Sequence, residues 1–598
     1  MKAYCGKILR VNLTEGETST FVPEERDLRD FVGGAGLGIK LHYDMRTFEV
    51  DPLSPDNVLM LLTGPLTATR APSTSRLEFC AKSPLTGIWG ESNSGGKMAT
   101  YLKYAGWDGV IIEGKSEKPV YISIDSNGAE IIDADGIWGK GCYESQETIE
   151  KEVGGKKVAT AVIGPAGENL VKYACIQVDN SRHAGRTGMG AVMGSKRLKG
   201  IAVSYDPSER FKIEVADENE FNKVVDELLN RIKDDFTCNM FTQLGTAGYM
   251  ETSEGFGDLP IKYYTQGKWE GATKISGAAM AASVLRGNDG CLGCVVRCGR
   301  VVELEGREIH GPEYETLAAF GALQLNDDLQ SLIEINYMVN DLGMDSISTG
   351  VAVAFAMYLT EMGVGDFNVR WGDAERVKEL LKDIAYRRNK GEELSEGVRF
   401  MGEKYGVGNF AAHVKGLEIP MHDARGFAGL AAAYAVHPRG ACHLPHQIYL
   451  YEMGKRIKEY GIESQDRFAN DGKGILAAKV QNFSELFNAI TMCAFMPVRP
   501  TQIAALLKAA TGYEYTVENI YTAGERMFTL KRVYNIKCGI TSKDDTLPEI
   551  VLQPVEGGSA GNVPDVKKQV SELYEFRKWP NGIPSKEKLD ELGLEWVE

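Results

Sequence analysis

The stretch Gly109–Asp125, GVIIEGKSEKPVYISID, holds two runs rich in β-branched residues, Gly109–Glu113 and Val120–Asp125, parted by GKSEKP. β-Branched side chains pack well on a pleated surface, and a turn rich in Gly, Ser and Pro ends one strand before the next begins. The same rhythm recurs on both sides, with KILRVNL, NVLMLL and RLEFCAK before it and VATAVIG, YACIQV and GIAVSYD after it. Up to about Asp206 the chain therefore reads as a β-rich unit. Beyond it the apolar period becomes helical, with i, i+3, i+4, i+7 spacing over Glu218–Phe236, Leu329–Leu342, Ala374–Arg388 and Val517–Tyr534. A strand-rich first third followed by helices, without βαβ alternation, predicts an α+β protein in which a β platform is covered by two mainly helical domains. A boundary is expected near Pro207, and the turn-rich EIPMHDARG suggests another near Leu417–Pro420, giving segments 1–208, 209–417 and 418–598. No internal repeat with a period of about 20 to 50 residues is visible.

The 598 residues are 43% hydrophobic and 25% charged, the balance of a globular protein with a substantial core. Net charge is −16, from 67 basic and 83 acidic residues, the wrong sign for a mainly electrostatic nucleic-acid binder. The most apolar stretches, Gly350–Leu359 and Phe427–Val436, are about half the roughly 20 residues a bilayer span needs, and read as core helices. The N-terminal MKAYCGKILRVNLTEGE has no apolar signal core, so a cytoplasmic location is expected. Eleven cysteines, an odd count without a signal sequence, argue against a disulfide framework.

Three of those cysteines form a C-x2-C-x3-C run, Cys291-Leu-Gly-Cys294-Val-Val-Arg-Cys298, just after the turn GNDG. Three thiolates so spaced reach three corners of an iron–sulfur cubane, and a fourth cysteine from elsewhere completes it. Zinc and unligated core thiols are the competing readings, and spacing does not select the fourth ligand. A second signal, Arg182-His-Ala-Gly185-Arg186-Thr-Gly188-Met-Gly190, places glycines beside two arginines, a setting in which backbone N–H groups approach an anion such as phosphate. It is neither a Walker motif nor a complete dinucleotide fingerprint, and a tight-packing turn is the alternative. A third cluster, from GPLT at Gly64 through Arg70 and Arg76 to Glu91-Ser-Asn93-Ser-Gly95-Gly96-Lys97, repeats that chemistry. Two such loops on one platform suit a large polyanion.

Together these elements resemble the tungsten-dependent aldehyde:ferredoxin oxidoreductase family. The resemblance runs along nearly the whole chain, through DPLSPDN, KSPLTG, NSGG, IGPAGENLV, GRTGMGAVMGSKRLK, the cysteine run, GPEYET, LGMDSISTG, RGACH, DDTLP and GIPSKEKLDELGL. It implies a platform domain holding two pyranopterins that chelate one tungsten (or molybdenum), with one 4Fe–4S cluster nearby. The family's distal cysteine motif, D-x-x-G-L-C, falls on Asn488-Ala-Ile-Thr-Met492-Cys493, making Cys493 the implied fourth ligand. Pterin and phosphate contacts fall on Arg76, Asn93, Gly95, Arg182, His183, Gly185, Arg186 and Arg439, with Asn93 and the His183 carbonyl also holding a magnesium ion between the phosphates. Arg76 is expected between cluster and pterin. The family's acid/base pair falls on Glu315 of GPEYET and His443 of RGACH. The implied reaction oxidises an aldehyde to a carboxylic acid and sends electrons through the cluster to ferredoxin, a similar low-potential carrier or iron–sulfur partner subunits.

The sequence also departs from the family pattern. The first pterin motif, D-x-x-G-L-D, reads Asn340-Asp-Leu-Gly-Met344-Asp345, and the second has Asn488 and Thr491 where Asp and Gly are expected. Asn donates as well as accepts, so each Asp-to-Asn change removes a charge beside the pterins. Pro445 stands where a lysine is common. The segment that in relatives bridges two subunits through a metal reads Glu334-Ile-Asn-Tyr337, and a tyrosine is a poor substitute for imidazole. No bridging metal is therefore expected, and a homodimer could still form through other contacts. The alternatives are a related tungsten enzyme reducing a carboxylic acid or aromatic thioester, and a non-catalytic electron-transfer subunit.

Overall fold

The structure is a computed structural model describing residues 1–154 and 157–597. Its first third is two six-stranded sheets. The first contains β1 (Ile8–Asn12), β2 (Glu17–Phe21), β3 (Leu59–Leu62), β4 (Leu77–Lys82), β5 (Trp89–Ser94) and β6 (Gly109–Glu113), in the order β2-β1-β6-β3-β4-β5. The second contains β7 (Val120–Asp125), β8 (Gly128–Asp133), β9 (Lys157–Val162), β10 (Ile176–Val178), β11 (Arg182–Ala184) and β12 (Leu198–Tyr205), in the order β8-β7-β12-β9-β10-β11. Strand for strand this is one topology used twice. Each half has a single parallel pair, β1 with β6 (Leu9 opposite Val110) and β7 with β12 (Val120 opposite Leu198), and every other pairing is antiparallel. Each also sends a short helix from its fifth strand to its sixth, Met98–Tyr104 and Met189–Ser195. The duplicated unit is far longer than the window in which a short repeat shows, and its halves share no obvious sequence pattern.

The expected α+β architecture is present, with the strand-rich platform followed by a mainly helical remainder. The two sheets bury a shared apolar core that includes Val11, Leu61, Phe79, Ile112, Ile122 and Ile201. On the far side of the first sheet, Leu37 and Ile39 of helix Gly34–Asp44 belong to a larger core reaching through the helices Ser346–Glu361, Lys473–Ala489 and Val517–Lys537. Strands β2, β5, β8 and β11 lack a continuous apolar run, and so carry no strand signal in the sequence. WGESNS is almost wholly buried and RHA partly so, without an apolar alternation that the sequence could show. The GND preceding the cysteines is also a strand, Leu285–Asp289, paired antiparallel with Gly299–Leu304, so Cys291–Cys298 form the loop of a hairpin. EIPMHDARG is buried throughout and not a surface linker.

Candidate active site

The cysteine hairpin is tied to the platform by backbone. Ser73 N–H donates to the Gly293 carbonyl (3.1 Å), Cys493 N–H to the Ser73 carbonyl (2.9 Å) and Leu292 N–H to the Gly96 carbonyl (3.1 Å). These bonds gather Cys291, Cys294, Cys298 and Cys493, all half-buried, from two distant segments. Cys442 is fully buried and receives a hydrogen bond from Arg439 Nη2 at 2.6 Å, while Cys538 faces the Phe48 carbonyl. Zinc–sulfur bonds of about 2.3 Å would bring zinc's thiolates within about 4 Å of one another. Among the described residues no trio of cysteines lies within 4.8 Å. Gly95 is essential to this approach, because a Cβ there would sit 2.4 Å from Cys291 Sγ.

The platform's duplication explains the two glycine loops. Gly95 and Gly185 each follow the fifth strand of their half, and Asn93 and His183 each lie two residues before. Asn93 accepts from Arg76 Nε and donates to Glu78 Oε1. His183 is pushed down to about 3 by burial and the neighbouring Arg182, so its ring is neutral, and its Nε2 has no partner. Arg182 reaches Asp289 at 3.4 Å and faces Cys291 and Cys298. A Cβ on Gly185 would meet nothing within 4 Å, so that loop borders open space.

Two buried arginines close the region. Arg186 donates to Asp345 Oδ2 (3.4 Å), the Ala441 carbonyl (2.8 Å) and the Glu418 carbonyl (2.5 Å), joining the second glycine loop to the first pterin motif and to RGACH. Arg439 donates to the Glu91 carbonyl at 2.8 Å and keeps its Nε free. The two D-x-x-G-type motifs are helix caps of one design: Met344 N–H bonds the Val339 carbonyl and Met492 N–H the Phe487 carbonyl, both at 3.0 Å. Gly343 and Thr491 hold the left-handed position between, with φ of 78° and 52°. Asn488 reaches Glu91 Oε1 at 3.4 Å, whereas Asn340 donates to Asn336 of its own helix at 3.5 Å and also bonds Tyr143.

At the centre, Glu315 Oε1 lies 3.3 Å from His443 Nδ1 and 3.6 Å from His422 Nε2. Glu315 is in the first turn of helix Tyr314–Phe320, and its Oε2 accepts from Met421 N–H at 2.9 Å. Burial lifts its carboxyl above the ordinary range, while His422, the Met421 amide and Arg186 pull it back. His443 is pushed well below its usual value by burial, then by His422 and Arg186, and is neutral. Burial opposes a charge on His422, but Asp258, by charge and by a 2.7 Å hydrogen bond to Nδ1, outweighs it and raises the imidazole. One acid and one neutral imidazole facing each other can share a proton at a carbonyl oxygen.

Sequence reading missed His422 and Asp258. His422 lies in the stretch taken as a turn, and the nearest signal for it was an Asp–Arg pair beside it, Asp423 and Arg425, which is buried and bonded at 2.5 Å. It also missed Lys531, a buried cation between Glu91 (2.6 Å) and Glu485 (2.5 Å) beneath the glycine loops. At the former bridging segment, Glu334 pairs with Lys378 at 2.7 Å and Tyr337 stacks on Tyr143, so both are engaged within the chain.

Comparison with known proteins agrees with this architecture from end to end. Residues 8–205 match the family model for the aldehyde ferredoxin oxidoreductase N-terminal domain, and residues 223–594 match that for its domains 2 and 3. The tungsten-containing aldehyde ferredoxin oxidoreductases of Pyrococcus furiosus and Thermococcus kodakarensis are 39% and 38% identical, each over 98% of both chains. Among solved structures, the active-site complex BamBC of benzoyl coenzyme A reductase with 1,5-dienoyl-CoA superposes with a TM-score of 0.85 at 25% identity, over all of this chain and 98% of the other. With both family models matched in order and relatives above 30% identity along its whole length, the chain belongs to the aldehyde ferredoxin oxidoreductase family.

Proposed function

We propose that this enzyme oxidises an aldehyde to a carboxylic acid at a tungsten bis-pyranopterin centre and passes the electrons through one 4Fe–4S cluster to ferredoxin or a similar carrier. The observation that carries the chemistry is the 3.3 Å approach of Glu315 to His443, each leaving a buried, unpartnered atom on the shared face. The residues fit the cofactor: Arg439 Nε, His183 Nε2 and Glu78 Oε2 are buried without partners, and Gly185 opens onto free space. Arg76, Asn93, Gly95, Arg182, His183, Gly185, Arg186, Arg439 and the caps holding Asn340, Met344, Asp345, Asn488 and Met492 would cradle it. Asn93 and the His183 carbonyl, at equivalent places in the two halves, would share a magnesium ion. Cys291, Cys294, Cys298 and Cys493 would hold the cluster.

When bound, the tungsten centre supplies the two-electron acceptor. The chain's part is to handle protons, because aldehyde plus water yields acid, two protons and two electrons. Glu315 accepts the proton of the attacking water oxygen, and His443 orients the carbonyl. The low-dielectric surroundings strengthen both contacts. We read the architecture as platform 1–208, cluster-bearing domain 209–417 and C-terminal domain 418–598, in a homodimer without a bridging metal. No helix among the described residues is long and apolar enough to cross a membrane, and we read the location as cytoplasmic.

Metal analysis with a dye-linked assay over an aldehyde panel tests the reading. Glu315→Gln should retain tungsten and iron yet lose about 10²- to 10⁴-fold in kcat/KM. Near-normal turnover with cofactors in place would refute the assigned role.

A further inference from the structure

We propose that Asp258 and His422 form a buried ion pair that holds the Glu315 carboxylate in its charged, base-competent form, which makes His422 a positioning residue of the active site. The inference rests on the reading of Glu315 as the base.

The geometry is a line of charge. Asp258 follows helix Met250–Phe256, and its Oδ2 meets His422 Nδ1 at 2.7 Å while also accepting from Ser253 Oγ at 3.1 Å. His422 Nε2, the opposite ring atom, faces Glu315 Oε1 at 3.6 Å. A carboxylate bonded to one imidazole nitrogen fixes the proton there and favours a second proton on the other, so the positive charge is presented to Glu315. His422 cannot turn away. Tyr449 stacks on it at 4.5 Å and 11°, Tyr314 and Tyr249 pack against its ring at 5.2 and 5.8 Å, and its carbonyl accepts from Tyr434 Oη at 3.0 Å.

Every other ionisable group around the pair can be assigned. Tyr249, Tyr314 and Tyr449 are held neutral by burial, as are Tyr264 and Tyr434, which also lie near Glu315. His443 is neutral through burial and the cations beside it, His422, Arg186 and Arg439, and burial keeps His446 neutral as well. The remaining cation acting on Glu315 is Arg186, which is already committed to Asp345 and two carbonyls. Without the His422 charge, Glu315 would be a largely buried carboxyl with Asp258 as its nearest charged neighbour besides Arg186. Such a group stays protonated and cannot accept the water proton at neutral pH. His422 lies between the two carboxylates, bonded to Asp258 on one ring nitrogen and facing Glu315 with the other, so its one positive charge acts on both.

Three single variants test this, His422→Asn, Asp258→Asn and Glu315→Gln, each purified as the cofactor-loaded full chain. The acidic limb of the kcat/KM profile should move up by at least about one pH unit in His422→Asn and Asp258→Asn. Below the limb the rate then falls about tenfold or more and recovers as pH is raised. Infrared difference spectra of each against its Glu315→Gln double variant should show a protonated carboxyl band at neutral pH that the parent lacks. That readout does not depend on turnover, and Asp258→Asn keeps the inference testable if His422→Asn does not fold. A pH-independent loss with no new carboxyl band, an unmoved limb, or a divalent ion found bound between Glu315, His422 and His443 would overturn it. If Glu315→Gln itself turns over normally, the base assignment fails first, and the two failures are thereby told apart.

Discussion

Thr491 holds a left-handed backbone, φ 52°, at the cap position where its twin in the first half of the cofactor site is Gly343. For a β-branched residue that conformation costs about 1–2 kcal/mol. The hydroxyl compensates, bonding Thr67 Oγ1 at 2.8 Å and accepting from Gly64 N–H at 3.1 Å. Thr491→Ala removes the hydroxyl, worth about 1 kcal/mol, and a buried methyl, worth about 0.8 kcal/mol, while keeping the strain. The cap should weaken by about 2 kcal/mol. Thr491→Gly suffers the same losses but relieves the strain, at an entropic cost of about 0.5–1 kcal/mol, leaving a loss of about 1 kcal/mol. The order glycine above alanine reverses what most positions show. Hydrogen exchange of the segment Asn488–Cys493, where the Met492 amide donates to Phe487, reads local opening without requiring reversible global unfolding. Exchange should accelerate about fivefold in Thr491→Gly and about 30-fold in Thr491→Ala. Equal rates, or a slower alanine variant, would show that residue 491 carries no left-handed strain and that the twin-cap argument is wrong.

Two further outcomes follow from the same geometry. Cys493→Ala should abolish the reduced-cluster signal in electron paramagnetic resonance, whereas Cys442→Ala should keep it; the reverse result would reassign the fourth ligand. His42 is buried with its ring between Thr47 Oγ1 (2.9 Å) and the Cys80 carbonyl (3.2 Å), and burial lowers it from 6.5 to about 4. The unfolded chain therefore binds the proton first, so stability present above pH 6.5 drains away as pH falls towards 4, by up to about 3 kcal/mol. Thermal unfolding of His42→Gln should decline less steeply than the parent over that interval, and parallel curves would count against it.

What the sequence disclosed depended on how each residue is held. Cys291, Cys294 and Cys298 announce themselves by spacing because one short hairpin loop carries all three. The strands with apolar alternation, such as Gly109–Glu113 and Val120–Asp125, were legible for the usual reason that one pattern serves one face. Strands β5 and β11 were not, because WGESNS and RHA carry polar residues at positions that an apolar alternation would fill. Glu315 and His443 were reached through family resemblance alone, and His422 escaped both routes. Its partners, Asp258 and Glu315, are 164 and 107 residues away, and such a meeting leaves no local trace. The same holds for the doubled topology, which persists in hydrogen-bond order after its sequence echo has gone.

The doubling stops at one residue. Each cap ends two places beyond its left-handed residue, at Asp345 in one half and Cys493 in the other. Asp345 turns inward, capping helix Ser346–Glu361 and meeting Arg186. Cys493 turns to the cysteine hairpin. If Cys493 holds the cluster as proposed, a scaffold that treats its two halves alike would offer a single wire to the outside, set by one carboxylate exchanged for one sulfur.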